Sequence, residues 1–216
     1  MAEREVRITG DHVALEGVLA VPGGAPGIVL FAHGSGSSRL SPRNTYVARV
    51  LREGGVGTLL FDLLTRAEDS VYATRFDIDL LTRRLVAATR WVAEQPETRE
   101  LGVGYFGAST GAAAALMAAA ELPDRIQAVV SRGGRPDMAM RVLERVRAPT
   151  LLIVGGHDEV VLDLNRQAHA ALGATKELVI VPGATHLFEE PGTLEEVARL
   201  ASAWFQRHLH RAPQAP

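Results

Sequence analysis

Short apolar runs alternate with longer segments of mixed apolar and polar residues along most of the chain. A run of about five apolar residues with few polar positions is typical of a strand buried on both faces, whereas longer amphipathic segments predict helices. Strands that alternate with helices in this way indicate a mostly parallel sheet with helices on both faces. The sequence therefore predicts an α/β fold with about eight strands.

The individual elements follow from the same pattern. The first two strands flank Gly10 and Asp11 and are expected to pair antiparallel, and Asp163 is read as a helix cap. The predicted strands are 5–8, 13–21, 28–32, 56–61, 101–106, 126–130, 150–154 and 177–181. The predicted helices are 42–53, 76–94, 110–121, 137–145, 163–172 and 193–208.

Length and composition limit the classes of protein to which this chain can belong. The 216 residues suit one domain covering 1–216, with 211–216 expected to be a frayed end. A net charge of −2 argues against a nucleic-acid partner. Without cysteine the chain has no thiol nucleophile, thiolate metal site or disulfide framework. No secretory signal and no apolar run of about 18 residues is found, so we expect a cytoplasmic protein with no membrane partner.

The first candidate for a catalytic residue lies in Gly107-Ala108-Ser109-Thr110-Gly111, between a predicted strand and an Ala-rich predicted helix. The Gly-x-Ser-x-Gly pattern in this strand-turn-helix context is typical of a nucleophile elbow, where glycines allow close backbone approach and the serine hydroxyl stands above the sheet. The helix N-terminus favours negative charge that develops in acyl transfer. The alternative is a Gly-Ser turn leading into a helix capped by serine. We interpret Ser109 as a nucleophile.

A serine nucleophile needs a base and an acid. His186 follows the last predicted strand and Asp158 follows the strand before it, so both lie in loops at the carboxyl ends of strands, where open α/β folds bind ligands. Glu159 and Asp163 are the nearest rivals for the acid, and a solvent-exposed loop histidine is the alternative for His186. The chain order Ser109, Asp158, His186 is the order expected of α/β-hydrolases.

A second Gly/Ser turn follows the strand 28–32. It can direct backbone N–H groups at a substrate oxygen, and the amides of Ser35 and Thr110 are the candidate oxyanion donors. Gly34 and Gly36 would allow the close approach. A phosphate-binding loop is the rival, but no Gly-Lys-Ser/Thr follows. His33 is interpreted as a structural hydrogen-bonding residue.

These pieces resemble the α/β-hydrolase superfamily and, within it, the dienelactone-hydrolase-like group of small hydrolases. The residues that carry the resemblance are His33-Gly34, the elbow at 107–111, Gly156-His157-Asp158 and Gly183-Ala184-Thr185-His186. Dienelactone hydrolase itself uses a cysteine nucleophile, whereas this chain has Ser109, which favours a general carboxylic-ester hydrolase. Some relatives of this group carry a fused phosphoribosyltransferase domain, and these 216 residues are not expected to include one.

The segment 131–148 offers room for only one short helix, so we expect a minimal cap and an open site for small esters. Arg132 and Arg135 lie just past a strand end and are candidates for an anionic substrate group. The alternatives are pairing with local carboxylates or exposure to water.

The sequence thus predicts a serine esterase that needs no cofactor or metal, with lactones, thioesters or acyl transfer to an alcohol left open. The alternative is a ligand-binding or sensor protein with a slow or vestigial triad. The small-molecule ester is the expected partner, and the sequence gives no indication of a homo-oligomer.

Overall fold

The computed structural model describes residues 3–211, which form one mixed sheet with helices on both sides. The strands are β1 (Arg4–Gly10), β2 (Val13–Ala20), β3 (Gly27–Ala32), β4 (Gly57–Phe61), β5 (Gly102–Ala108), β6 (Ile126–Arg132), β7 (Thr150–Gly155) and β8 (Lys176–Val181). The α-helices are α1 (Pro42–Glu53), α2 (Arg66–Asp69), α3 (Ile78–Glu94), α4 (Thr110–Glu121), α5 (Glu159–Ala171) and α6 (Thr193–His208). Two 3₁₀ helices cover Tyr72–Phe76 and Pro136–Arg145.

The eight strands lie in the order β1-β2-β4-β3-β5-β6-β7-β8. β1 pairs antiparallel with β2, and β2 with β4, while every pair from β4 to β8 is parallel. This is the α/β-hydrolase fold that the sequence predicts, and the antiparallel pair around Gly10 and Asp11 is confirmed. The carboxyl ends of the parallel strands lie along one side of the sheet, here called the carboxyl edge. Their amino ends form the opposite amino edge.

Two hydrophobic cores lie on opposite faces of the sheet, and neighbouring strand residues alternate between them. Leu30 and Tyr105 belong to the core under α3 and α4, whereas Phe31 and Phe106 belong to the core under α1 and α6. All four side chains are at most 2% exposed. Burying side chains of this size stabilises a fold by roughly 1.5–3 kcal/mol each. The two cores therefore hold the strand ends in fixed positions.

Two predicted elements differ from the structure, and one short α-helix was not predicted. α5 begins at Glu159, one turn before the predicted start, so Asp163 lies inside the helix and pairs with Arg166 at 2.9 Å instead of capping it. The helix expected at 137–145 is a 3₁₀ helix. The segment after β4 contains α2, closed by a capping box of Thr65 and Glu68, which the hydrophobic pattern does not reveal because α2 buries no residue.

The cap is minimal, as predicted, because Pro136–Arg145 is the only helical segment between β6 and β7. Of the predicted frayed end at 211–216, only Arg211 lies within the described residues, and its Nε donates to the Ala25 carbonyl at 3.1 Å. Residues 212–216 lie outside the described range. Within residues 3–211, every helix is too short or too polar to cross a bilayer.

Candidate active site

The predicted nucleophile lies on a sharp turn between β5 and α4. Ser109 has φ 51° and ψ −121°, a backbone conformation that side-chain-bearing residues rarely adopt. A Cβ at Gly107 would lie 2.4 Å from the Ala112 Cα, and one at Gly111 would lie 2.1 Å from the Ala32 carbonyl oxygen. Only glycine fits at these two positions, which is the physical requirement of a nucleophile elbow.

The Ser109 side chain does not cap α4. Ser109 occupies the N-cap position, yet its hydroxyl makes no capping hydrogen bond. The alternative interpretation, a serine that merely caps a helix, therefore loses its main support. The Ala-rich face of α4 is fully packed, because Ala112–Ala119 are at most 5% exposed. This packing fixes the helix whose N-terminus lies next to the hydroxyl.

The predicted base and acid contact each other directly. His186 Nδ1 lies 2.6 Å from Asp158 Oδ2, with side-chain exposures of 38% and 14%. This hydrogen bond fixes the imidazole orientation and leaves Nε2 as the nitrogen available for proton transfer. Asp158 is the N-cap residue of α5, but its carboxylate bonds the imidazole and makes no cap hydrogen bond.

Backbone and side-chain bonds join the two loops that carry this pair. The His157 amide donates to the Ala184 carbonyl at 2.9 Å. Glu190 accepts from the Thr185 amide at 3.1 Å and from the Thr185 hydroxyl at 2.6 Å, which closes the loop around His186. These hydrogen bonds hold the Glu190 carboxyl pKa below its usual value. Sequence reasoning missed Glu190, whose only signal is an acidic residue four positions after His186.

The turn after β6 contacts both Ser109 and His186. The Ser109 amide donates to the Arg132 carbonyl at 3.3 Å, and the Arg135 amide donates to the Ser109 carbonyl at 3.1 Å. Gly133 has φ 50°, and a Cβ there would lie 3.5 Å from His186 Nδ1. Nucleophile and base candidates thus border the same turn. No hydrogen bond within residues 3–211 joins the Ser109 hydroxyl to the imidazole.

Asn165 is a further contact that the sequence does not reveal. Its buried side-chain amide donates to the Gly134 carbonyl at 3.0 Å and to the Val161 carbonyl at 2.8 Å. Asn165 therefore fastens the turn beside Ser109 to α5, the helix that begins at the acid. An asparagine inside a helix pattern carries no signal for such a contact, because Gly134 lies 31 residues away in the chain.

The two predicted oxyanion donors are neighbours, and the contact between them is unexpected. The Ser35 amide donates to the Thr110 hydroxyl at 3.0 Å. The Thr110 amide belongs to the first turn of α4, where N–H groups have no partner inside the helix. For Ser35 to stabilise an oxyanion, its N–H must be shared with the Thr110 hydroxyl or released from it.

His33 is a structural residue, as the sequence predicts. Its Nε2 accepts from the Leu63 amide at 3.0 Å, so Nδ1 carries the proton and donates to the Gly34 carbonyl at 3.0 Å. Burial lowers the pKa of this imidazole, against weaker opposing effects of the Gly34 carbonyl and nearby carboxylates. The neutral ring fastens the turn of Ser35 to the end of β4.

The two candidate arginines differ sharply. Arg135 is paired with Asp137 through two bonds of 2.8 Å, which is the local-carboxylate alternative left open by the sequence. Arg132 is only 7% exposed, and its Nε and Nη1 are buried without a hydrogen-bond partner among residues 3–211. Burial lowers the pKa of Arg132 to about 10, and the nearby charge of Arg43 acts in the same direction. Arg132 is therefore charged at neutral pH without a carboxylate partner.

The chain is similar to known proteins in sequence and in fold. The chain is 57% identical to a dienelactone hydrolase from Anabaena variabilis, with a TM-score of 0.95 over 97% of this chain and 99% of that chain. It resembles ferulic-acid-bound Est1E from Butyrivibrio proteoclasticus in fold, with a TM-score of 0.80 at 16% identity over 94% and 98% of the two chains.

The chain is also 58% identical over 209 residues to a protein of Mycobacterium tuberculosis whose name contains the words "phosphoribosyl transferase". The match covers 97% of this chain and 47% of that protein, so the chain spans about half the length of this curated relative. The sequence model of the dienelactone hydrolase family matches residues 15–210. The chain belongs to the dienelactone hydrolase family of α/β hydrolases.

Proposed function

We propose that this hydrolase is a serine esterase that cleaves small carboxylic esters through Ser109, His186 and Asp158. The observation that carries the proposal is the 2.6 Å bond between Asp158 and His186, at the same sheet edge as a serine with a left-handed backbone. Membership of a hydrolase family supports the reaction class. Two parts of the proposal, that the nucleophile is a serine and that the substrate is an ester, are inferred from the residues of this chain.

The chemistry follows the acyl-transfer pattern. Ser109 Oγ attacks the ester carbonyl carbon while His186 Nε2 takes the hydroxyl proton, and the imidazolium then protonates the departing alcohol. Asp158 orients the imidazole and stabilises its positive charge. Water, deprotonated by His186, next attacks the acyl-enzyme and releases the acid together with free Ser109.

Backbone amides stabilise the tetrahedral oxyanion in this proposal. The Thr110 amide is free for that purpose, and the Ser35 amide is positioned next to it by the Thr110 hydroxyl. Preorganised donors of this kind contribute on the order of 3–4 kcal/mol to transition-state stabilisation. The absent bond between Ser109 and His186 is compatible with this role, because such bonds often shorten only when substrate binds.

Substrate size follows from the minimal cap. Only one short 3₁₀ helix, Pro136–Arg145, lies between β6 and β7, so this segment provides no large helical lid for a long acyl chain. We therefore expect acetyl and butyryl esters to be cleaved faster than long-chain esters. Lactones and thioesters are further candidate substrates, because the same acyl-transfer steps apply to them.

The test is a panel of aryl acetates, butyrates and decanoates, lactones and thioesters, with wild type, Ser109→Ala and the distant control Ser202→Ala. We expect Ser109→Ala to lose at least about 10⁴-fold in kcat, while Ser202→Ala keeps wild-type rates. A serine-directed phosphonate should label wild type and not Ser109→Ala. Folded wild type that neither labels nor cleaves would favour a ligand-binding protein, and faster decanoate cleavage would overturn the size assignment.

A further inference from the structure

The Thr110 hydroxyl at the carboxyl edge accepts one hydrogen bond but, among residues 3–211, donates none. Thr110 is 2% exposed, and its Oγ1 accepts from the Ser35 amide at 3.0 Å. A hydroxyl can both accept and donate, so the donor capacity of this buried group is unused. A buried donor without an acceptor lowers the stability of a folded protein, which points to an acceptor that the substrate supplies.

Other buried threonines in the described range use their hydroxyl protons. Five donate to a backbone carbonyl at 2.6–2.9 Å, namely Thr82, Thr89, Thr98, Thr150 and Thr193. In α3, Thr82 and Thr89 donate to the carbonyl four residues earlier, which is a common partner of a threonine inside a helix. Thr110 is the first residue of α4, and the residue four positions earlier belongs to β5. The position of Thr110 in the fold therefore leaves its hydroxyl proton free.

The hydroxyl lies next to the proposed nucleophile. Thr110 directly follows Ser109, and the turn that carries Ser35 packs against Ser109, because a Cβ at Gly34 would lie 3.1 Å from the Ser109 Cβ. The Ser37 amide donates to the Gly34 carbonyl at 3.1 Å, which closes this turn. The amide of Ser35, the hydroxyl of Thr110 and the amide of Thr110 therefore border the same region beside the nucleophile.

We infer that the Thr110 hydroxyl donates its proton in a hydrogen bond to the oxyanion of the tetrahedral intermediate. The inference rests on the proposed esterase function, since the intermediate forms only if Ser109 attacks an ester. The Ser35 amide positions the hydroxyl oxygen, and a hydroxyl that accepts one hydrogen bond becomes a stronger donor in the next. The amide and the hydroxyl of Thr110 are then the two groups that contact the oxyanion, and Ser35 acts through the hydroxyl.

Substitutions of Thr110 test the inference through kcat/KM on p-nitrophenyl acetate. Thr110→Val removes the hydroxyl and keeps the branched shape, so we expect a loss of about 10²–10³-fold, as for other oxyanion donors, whereas Thr110→Ser should stay within about tenfold of wild type. The control Thr82→Val removes an equally buried hydroxyl, which donates to the Ile78 carbonyl at 2.7 Å, and should keep the wild-type value. If the Ser35 amide itself contacts the oxyanion, Thr110→Val releases it and is at least as active as wild type, which would overturn the inference.

A thionoester separates contact with the oxyanion from displacement of the nucleophile. p-Nitrophenyl thionoacetate has sulfur in place of the carbonyl oxygen, and sulfur is a weaker hydrogen-bond acceptor. Loss of an oxyanion donor should slow the oxygen ester more than the thionoester, so Thr110→Val should narrow the ratio of their kcat/KM values at least about tenfold. Equal losses on the two esters, or a loss in Thr110→Ser as large as in Thr110→Val, would assign Thr110 a structural role and overturn the inference.

Folding and the proposed function have separate readouts. Far-UV circular dichroism shows whether each variant is folded, and Thr110→Ala, which also lacks the hydroxyl and suits the Ala-rich α4, carries the same expectations if valine prevents folding. Wild type that neither cleaves p-nitrophenyl acetate nor reacts with the serine-directed phosphonate would refute the esterase and this inference with it. An active wild type with an equally active, folded Thr110→Val variant would refute the hydroxyl donor alone.

Discussion

The amino edge and the carboxyl edge of the sheet differ in how their polar groups are paired. At the amino edge the chain end closes over the strands, as when the His210 amide donates to Gln127 Oε1 at 2.8 Å. At the carboxyl edge, strained backbone and unpaired polar atoms collect around Ser109. Within residues 3–211, the buried polar atoms without a partner at this edge are Arg43 Nε, Asn44 Oδ1, Ser131 Oγ, Arg132 Nε and Nη1, and Asn165 Oδ1.

This difference between the two edges indicates where the fold contains groups that lower its stability. In the part of the chain that the structure describes, the amino edge has fewer buried polar atoms without a partner, namely Arg125 Nη2 and His208 Nε2. Strain and unsatisfied polar groups persist in folded proteins mainly where function requires them, because elsewhere each lowers stability. Substitutions at the carboxyl edge should therefore change activity out of proportion to stability, and those at the amino edge the reverse.

The largest effect is expected at Asp158. Asp158→Asn should lower kcat on short esters by about 10³–10⁴-fold, because an amide neither stabilises the imidazolium nor fixes its tautomer. The matched control is Asp163→Asn on the same helix, where the carboxylate pairs only with the exposed Arg166. Initial rates and circular dichroism spectra of both variants provide the measurement. A folded Asp158→Asn enzyme within tenfold of wild type would remove Asp158 from the mechanism.

Substitution of two glycines, one at each edge, allows a direct comparison of the edges. A Cβ at Gly111 would lie 2.1 Å from the Ala32 carbonyl oxygen, and one at Gly102, at the amino edge, would lie 2.4 Å from the His210 carbonyl oxygen. Each alanine variant should lose about 1–3 kcal/mol in the free energy of unfolding. Only Gly111→Ala should also lose about 100-fold in kcat per folded molecule, because it displaces Ser109.

Urea unfolding gives the stability of each glycine variant, and far-UV circular dichroism gives the folded fraction. Gly23→Ala is the control for the substitution itself, because a Cβ there meets nothing within 4 Å. Equal losses of kcat at Gly111 and Gly102 would mean that the two edges do not differ in this respect.

The smallest effect concerns the pH dependence of stability. Burial lowers the pKa of His33, so the unfolded state binds more protons at this residue than the native state does. The stability that the neutral imidazole contributes is complete above the ordinary histidine pKa of 6.5 and is lost as the pH falls through the lowered native value. His33→Gln should therefore flatten the fall in stability on acidification.

His208, at the amino edge, provides the comparison. Its pKa is also lowered, first by burial and then by Arg207, but the residue is only partly buried, whereas His33 is buried. His208→Gln should change the slope less than His33→Gln and leave kcat unaffected. The measurement is urea unfolding between pH 5 and 7. An unchanged slope in His33→Gln would contradict the assigned neutral ring.

Much of the fold was predictable because its signals are local. Apolar runs such as 28–32 mark buried strands, and residues directly after them reach the carboxyl edge whatever the details of packing. The positions of Ser109, Asp158 and His186 follow from that rule. The elbow is local as well, since Gly107 and Gly111 lie two residues to either side of the serine.

The rest depends on contacts between distant residues. The bonds from Asn165 to Gly134 and from Ser35 to the Thr110 hydroxyl join residues 31 and 75 positions apart. Sequence alone treats Arg132 and Arg135 alike, although one is buried and unpaired. The start of α5 was predicted too late because Asp163 was taken as the helix cap, whereas the helix begins at Glu159.

That uncapped helix start has an evolutionary consequence. A helix beginning at Glu159 would be stabilised at least as well by serine or asparagine at position 158. Selection for folding alone would let these residues drift into the position, and only the contact with the imidazole requires a carboxylate. Under the proposed mechanism, an aspartate retained here among homologous sequences would record selection for catalysis, and a serine or asparagine would mark a chain that keeps the fold without the proposed acid.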